Sequence, residues 1–225
     1  MKNLILPTLR TFLIGAAAFG VLLFLPAWTF NYWQAWLFIV VFDLSANAIG
    51  IYLSLKDPAL LERRKKVGPA AETSLPQKII MSLAIVSLLG LFIFCALDHR
   101  FAWSTVSTLG SLLGNVLIVL SFVIQYLVFK ENSFVGSSIE TVADQKVIST
   151  GLYSLIRHPM YAGVLVMVAG VPIALGSWWG LLILAVVLPG LAWRILDEEK
   201  MLKKDLLGYT EYLQKVRYRL VPYIW

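Results

Sequence analysis

The feature that most constrains this chain is the distribution of its charges, which leaves four long stretches without any Asp, Glu, Lys or Arg. These stretches are 11–42, 79–97, 101–129 and 158–193. Each supplies about 20 mostly apolar residues, the length that a helix needs to cross a hydrocarbon core about 30 Å thick. Only 14% of the residues are charged, whereas soluble domains carry about 25%. The sequence therefore predicts an all-α, polytopic integral membrane protein.

The charge-free stretches divide into about six transmembrane helices. The first four spans are predicted at about 9–28, 33–55, 79–97 and 107–129. The last stretch would be about 54 Å long as a single helix, far more than the core thickness. We therefore predict a C-terminal helical hairpin of about 160–175 and 178–195, which turns at the sequence GSWWG. Beyond it, the sequence MLKKDLLGYTEYL predicts that the helix continues as an amphipathic C-terminal helix on the membrane surface.

The basic residues predict the orientation of these spans. Lys and Arg are concentrated in the segments 56–78 and 130–157 and in the tail 194–225, whereas the opposite side holds only Arg100. The positive-inside rule then places both termini and the polar segments in the cytoplasm. The basic run ERRKK, 62–66, is typical of a topology determinant that contacts anionic lipids, and we do not expect it to bind nucleic acid.

Two polar motifs flank the predicted hairpin. In GLYSLIRHPMYAG, Pro159 suits the first turn of a helix, and His158 then lies at the helix entrance, where free N–H groups favour an anion. In WRILDEEKMLKK, Arg194 and Glu198 have the i, i+4 spacing of one helix face, and Glu199 follows. Each motif alone is also typical of an ordinary helix end with charged residues at the headgroup level.

A hairpin would bring these two motifs together, because both of its ends lie on the same side of the membrane. The sequence therefore predicts a compact polar site that contains cations and carboxylates, with no metal-ligand cluster and no nucleophilic Ser or Cys. Its members are Arg157, His158, Tyr161, Arg194, Glu198 and Glu199.

The pattern TGLYSLIRHPMYAG, a hairpin, RILDEEKML and then GYTEYLQKVRYRLVP resembles the isoprenylcysteine carboxyl methyltransferase family, in particular its prokaryotic members. It is more distantly similar to the membrane phospholipid N-methyltransferases. The resemblance covers about residues 130–225. It implies two regions, a four-span N-terminal membrane region at 1–129 and a methyltransferase-like catalytic region at 130–225.

The resemblance implies S-adenosylmethionine as the cofactor. Its contacts in the family match Gln145, Lys146, Val147, Ile148, Tyr153, His158, Pro159, Met160, Tyr161 and Glu198. Arg194 matches a substrate-binding arginine, and we expect Arg194, Glu198 and Glu199 to serve catalysis. The chain departs from the eukaryotic members at Gln145, where they have histidine, and at Met160, where they have a small hydroxyl residue.

These residue types suit methyl transfer to a carboxylate, which is ionised at neutral pH and needs no general base. Arg194 can hold such an acceptor in a bidentate fork. An amine acceptor, such as a lipid headgroup, would need a base, for which Glu199 or His158 is the candidate. A reductase of lipid double bonds and a non-enzymatic membrane scaffold or transport component are further alternatives. The expected partners are a lipophilic small-molecule or prenylated acceptor and the lipid bilayer.

One intramembrane carboxylate lies outside this site. Asp43 and Asn47 are one turn apart in the second span. Intramembrane carboxylates are candidates for function by default, but a hydrogen-bonded pair that fixes helix packing fits equally well. In the fourth span, the spacing of Gly110 and Gly114 predicts close contact with another helix.

Overall fold

A computed structural model describes residues 5–72, 74–136, 138 and 145–225, so both predicted regions, 1–129 and 130–225, include residues outside this set. The described part of the chain contains helices and no strand. The α-helices are α1 (Ile5–Ala27), α2 (Trp33–Lys56), α3 (Pro58–Lys65), α4 (Leu75–Phe101), α5 (Thr108–Glu131), α6 (Pro159–Ala174), α7 (Ile183–Asp205) and α8 (Tyr209–Lys215). Short 3-10 turns lie at Pro69–Ala71, Gly151–Ser154 and Trp179–Leu182.

The predicted polytopic membrane architecture is confirmed. Five helical segments are long and apolar enough to cross a membrane, namely α1, α2, α4, α5 and the continuous segment Trp179–Asp205 that contains α7. The sixth predicted span, α6, is apolar but has 16 residues, and at 1.5 Å per residue it is only about 24 Å long. Pro159 starts this helix, and the chain turns after it at Gly176, whose φ of +84° suits glycine.

The tip of the hairpin is tied to α4 by hydrogen bonds. Asp98, which is fully buried, accepts hydrogen bonds from the Ser177 hydroxyl and, at 2.7 Å, from the Ser104 hydroxyl. Ser177 in turn accepts the backbone N–H of Gly180 at 3.0 Å. These bonds satisfy a buried carboxylate and hold the predicted GSWWG turn against the preceding spans.

The C-terminal helix differs from the prediction. The sequence suggested one amphipathic helix through residue 213, but α7 ends at Asp205 and the seven-residue α8 begins at Tyr209. Gly208, with a φ of +84°, separates the two helices. Tyr209 and Tyr212 of α8 are buried against other parts of the chain, so this helix packs on the protein.

Helices α5 and α6 pack closely because glycines line their contact. An added Cβ at Gly114 would lie 2.7 Å from the Cα of Ala174, and one at Gly170 would lie 2.9 Å from the Cβ of Leu117. The prediction for Gly114 is therefore confirmed. The prediction for Gly110 is wrong, because its neighbours are the side chains of Val106 and Ser107 at the start of its own helix.

Asp43 is buried where α2 faces α1. An added Cβ at Gly15 would lie 2.5 Å from Oδ1 of Asp43, so the absence of a side chain at Gly15 makes room for this carboxyl group. Asn47 donates to the backbone carbonyl of Asp43 at 2.8 Å and does not bond the carboxyl group. The two residues are therefore hydrogen-bonded, as one of the two alternatives had it, but through the backbone of Asp43 and within a single helix.

Candidate active site

A cavity opens where the two ends of the hairpin meet. Its walls come from the segment 145–148, the turn Gly151–Ser154, the start of α6, the end of α7 and α8. All but one of the predicted site residues line it, namely Gln145, Lys146, Val147, Ile148, Tyr153, Arg157, His158, Pro159, Met160, Tyr161, Arg194 and Glu198. The exception is Glu199. The fold therefore gathers predicted residues from Gln145 to Glu198, 53 positions apart in the sequence, around one space.

Tyr161 connects two of the charged side chains that border the cavity, Arg194 and Glu198. Its hydroxyl donates to Oε2 of Glu198 at 2.6 Å and accepts a hydrogen bond from Nε of Arg194 at 3.1 Å. Arg194 and Glu198 therefore share one buried phenol. Because hydrogen bonds to ionised groups are strong and directional, Tyr161 fixes the positions of both.

Arg194 also binds two residues that the sequence did not predict. Its Nη2 lies 2.8 Å from Oε1 of Glu72, and its Nη1 donates to Oε1 of Gln77 at 2.9 Å. Gln77 donates at 2.7 Å to Asp197. Glu72 precedes α4 and Gln77 lies in its first turn, and both come more than 110 positions before Arg194 in the chain. No local spacing could have linked these residues, and only the burial of Glu72 in the structure identifies it.

Glu199 lies behind the cavity wall in a cluster of cations. Its carboxylate accepts Nη1 of Arg157 at 3.1 Å and Nε of Arg219 at 3.1 Å, and it lies 3.3 Å from Nε2 of His158. Glu199 is almost fully buried. These contacts suit a structural role, in which Glu199 holds His158 at the cavity, and its expected part in catalysis stays a prediction.

The last ten residues hold the Arg157–His158 motif in place. The backbone N–H groups of Arg157 and His158 donate to the carbonyls of Tyr218 and Arg219, each at 2.9 Å. Nε of Arg157 also donates to the carbonyl of Val216 at 2.7 Å. The sequence left open whether Arg157 belongs to the polar site or lies at the headgroup level; in the structure it is bound within the protein and joins the C-terminal segment to the hairpin.

One wall of the cavity is aromatic and apolar. Tyr153 receives a hydrogen bond on its hydroxyl from Asn132 at 3.0 Å, and its carbonyl accepts the hydroxyl of Tyr212 at 2.8 Å. Burial raises the pKa of Tyr153 to about 12, so this phenol is neutral at physiological pH. The neighbouring lining residues Met201, Leu202 and Leu206 are apolar. This wall is suited to the flat face of a heterocycle.

Arg64 supports residues of the cavity wall from behind. Its guanidinium lies 3.0 Å from the carbonyl of Gly136 and 3.2 Å from Sδ of Met160, two residues that line the cavity, and it stacks over Phe129. Burial lowers the pKa of Arg64 from its ordinary value. The prediction that the whole run 62–66 contacts lipid is therefore wrong for Arg64, which packs inside the protein.

Within the described residues, no group of three or more His, Cys, Asp and Glu side chains could hold a metal ion.

A family model described as phospholipid methyltransferase matches residues 109–206. The match runs from the beginning of α5 to just beyond α7, so it includes the hairpin, Tyr161, Arg194 and Glu198. It supports the more distant of the two predicted resemblances, to the membrane phospholipid methyltransferases, and with it the broader class of membrane methyltransferases. It leaves the methyl acceptor open.

Proposed function

We propose that the protein is an S-adenosylmethionine-dependent methyltransferase that transfers a methyl group to the carboxylate of a lipophilic acceptor, such as an isoprenylcysteine. The observation that carries this proposal is the pairing of Arg194 and Glu198 through Tyr161 at the wall of a cavity between membrane-spanning helices. We place the cavity at the cytoplasmic side, because its lining residues come largely from 130–157 and 194–225, two of the three segments in which Lys and Arg are concentrated.

The residues around the cavity suit this cofactor, which supplies a methyl group already activated on a sulfonium. Glu198 can accept hydrogen bonds from an ammonium group or from ribose hydroxyls. The N–H groups of Met160 and Tyr161 lie in the first turn of α6, where no helical acceptor is available, and so favour a carboxylate. The wall that contains Tyr153 offers apolar and aromatic surface to an adenine ring.

The residues present also suit a carboxylate acceptor. Arg194 borders the cavity, and a guanidinium binds a carboxylate with two parallel hydrogen bonds. An ionised carboxylate is itself the nucleophile, so the chain has to supply position and charge only. The lipophilic part of the acceptor would lie along the apolar helices that form the rest of the wall.

The second candidate is N-methylation of a lipid headgroup amine. It is favoured by the description of the matched family model and by the ion pair between Glu72 and Arg194, which already neutralises the guanidinium. An amine must first lose a proton. Glu199 accepts hydrogen bonds from Arg157 and Arg219, and His158 lies against Glu199, so both candidate bases already have partners. For this reason we rank the amine second.

The proposal is tested with purified protein in detergent. We expect calorimetry to show binding of S-adenosylmethionine and no binding of NADPH, which a reductase would require. Glu198→Gln should weaken cofactor binding at least about tenfold, the loss expected for a charged hydrogen bond. The matched control Glu211→Gln changes an exposed glutamate on α8 and should leave binding unaltered. Failure to bind the cofactor would favour a scaffold or a transport component.

The acceptor class is tested by incubating membranes with methyl-labelled cofactor, with and without the protein. Methyl esters release their label in mild alkali, whereas N-methyl products keep it. Alkali-labile label in a lipophilic product supports the carboxylate acceptor. Alkali-stable label would overturn it in favour of the amine.

A further inference from the structure

The partner of Arg194 in this structure is itself a carboxylate. Glu72 places Oε1 at 2.8 Å from Nη2 of Arg194, and its side chain is almost completely buried. Gln77 occupies Nη1 and Tyr161 occupies Nε. The carboxylate of a methyl acceptor that enters the cavity therefore meets a guanidinium whose three nitrogens already donate hydrogen bonds within the protein.

The charges around Arg194 show why two carboxylates would not be held there together. Arg194 carries one positive charge, while Glu72 and Glu198 carry one negative charge each. The cofactor of the proposed reaction brings two positive groups and one carboxylate, so Arg194, Glu72, Glu198 and the cofactor together carry no net charge. A further carboxylate would add an unbalanced negative charge at a buried position, which is costly. If the carboxylate of Glu72 leaves Arg194 when the acceptor carboxylate binds, the number of negative charges beside Arg194 stays the same.

Glu72 is attached to a part of the chain that can release it without unwinding a membrane helix. It follows the turn Pro69–Ala71, and its N–H donates to the carbonyl of Pro69 at 3.3 Å. Gly68 precedes this turn with a φ of +99°, and α4 starts separately with Ser74 as its N-cap. A change in this connection leaves the hydrogen bonds of α4 intact.

We propose that Glu72 is an acceptor-specificity residue, whose carboxylate holds the place of the acceptor carboxylate on Arg194 and exchanges with it on binding. This inference rests on the proposed function. In this proposal Glu72, in the connection before α4, neutralises Arg194 while the methyl acceptor is absent. It also makes the affinity for a carboxylate depend on a residue that does not line the cavity.

The test compares the binding of two ligands that differ in one group, N-acetyl-S-farnesylcysteine and its carboxamide, to protein without cofactor. Glu72→Gln keeps an oxygen that can accept from Arg194 but removes the competing charge. It should tighten binding of the carboxylate about tenfold, the equivalent of one charged hydrogen bond, and leave binding of the carboxamide unchanged. Glu62→Gln on the exposed face of α3 is the matched control and should alter neither.

Weaker or unchanged carboxylate binding in Glu72→Gln, or an equal change for both ligands, would overturn the inference and make Glu72 a structural brace. If this variant does not fold, Glu72→Asp retains the charge but shortens its reach, and it should show a smaller gain for the carboxylate alone. No gain in that variant would equally overturn the inference.

Kinetic measurements distinguish a failure of this inference from a failure of the proposed function. Where the carboxylate is methylated, Glu72→Gln should lower its KM and leave kcat near that of the wild type. If the cofactor binds but no variant methylates the carboxylate, the proposed acceptor is wrong. The binding comparison still decides the role of Glu72 in that case.

Discussion

The carboxylate of Glu199 lies 3.1 Å from the guanidinium of Arg157, at the point where the C-terminal segment crosses the start of the hairpin. Arg157 is bound to this segment by its backbone and by its side chain, and Glu199 belongs to the other leg of the hairpin. One ion pair therefore ties three separate stretches of the chain together beside the cavity. This relationship explains why an Arg-His-Pro sequence stands at the entrance of a membrane helix.

Replacement of Glu199 should destabilise the protein. Glu199→Gln leaves Arg157, His158 and Arg219 without their shared anion, and loss of one partner of a buried ion pair costs about 3 kcal/mol. We expect a corresponding fall in the free energy of unfolding, measured by denaturant titration in detergent. Glu62→Gln breaks an exposed pair with Lys65 and should cost less than about 1 kcal/mol. Equal effects of the two variants would contradict the structural role.

Replacement of Tyr161 should weaken the binding of both the cofactor and the methyl acceptor. Tyr161→Phe removes the hydroxyl that bonds both Glu198 and Arg194, so Glu198 loses this donor and Nε of Arg194 loses this acceptor. We expect the Kd of the cofactor and the KM of the acceptor each to rise about tenfold, the cost of a lost charged hydrogen bond. Calorimetry and initial rates provide the two values. A rise in only one of them would show that the phenol does not couple the two sites.

The control for this variant is Tyr223→Phe, which removes a phenol hydroxyl from an exposed residue near the C-terminus. Neither constant should change in the control. A change there would mean that the assay reports general effects on the membrane protein.

Much of the membrane architecture was predictable because it depends on local patterns. Charge-free stretches fixed the spans, and the length of the last stretch required a hairpin. The partners of Arg194 were not predictable, because Glu72 and Gln77 reach it through tertiary packing. The break at Gly208 did have a signal, since a glycine after a charged helix end is typical of a C-terminal cap. The apolar residues on one side of the segment 201–213, however, favour a continuous amphipathic helix.

The phenol of Tyr153, a half-buried residue, makes stability depend on pH in the alkaline range. Its pKa is raised to about 12 by burial, whereas an unfolded tyrosine ionises near 10. A group whose pKa is higher in the folded state contributes stability below the unfolded pKa and loses it as pH rises to the folded pKa. The free energy of unfolding of the wild type, relative to Tyr153→Phe, should therefore fall between about pH 10 and pH 12. A constant difference over this range would contradict a buried neutral phenol.

The contact between α5 and α6 should not tolerate a methyl group at Gly114. In Gly114→Ala the added carbon would clash with the backbone of Ala174, and overpacking of this kind typically costs about 1–3 kcal/mol. Gly90→Ala in α4 is the matched control, because an added Cβ there meets nothing within 4 Å and alanine favours a helix to the same extent. We expect thermal unfolding in detergent to show a lower Tm for Gly114→Ala and an unchanged or higher Tm for Gly90→Ala. Equal Tm values for the two variants would show that α5 and α6 are not in close contact. Because α6 starts at the cavity, Gly114→Ala should also weaken cofactor binding.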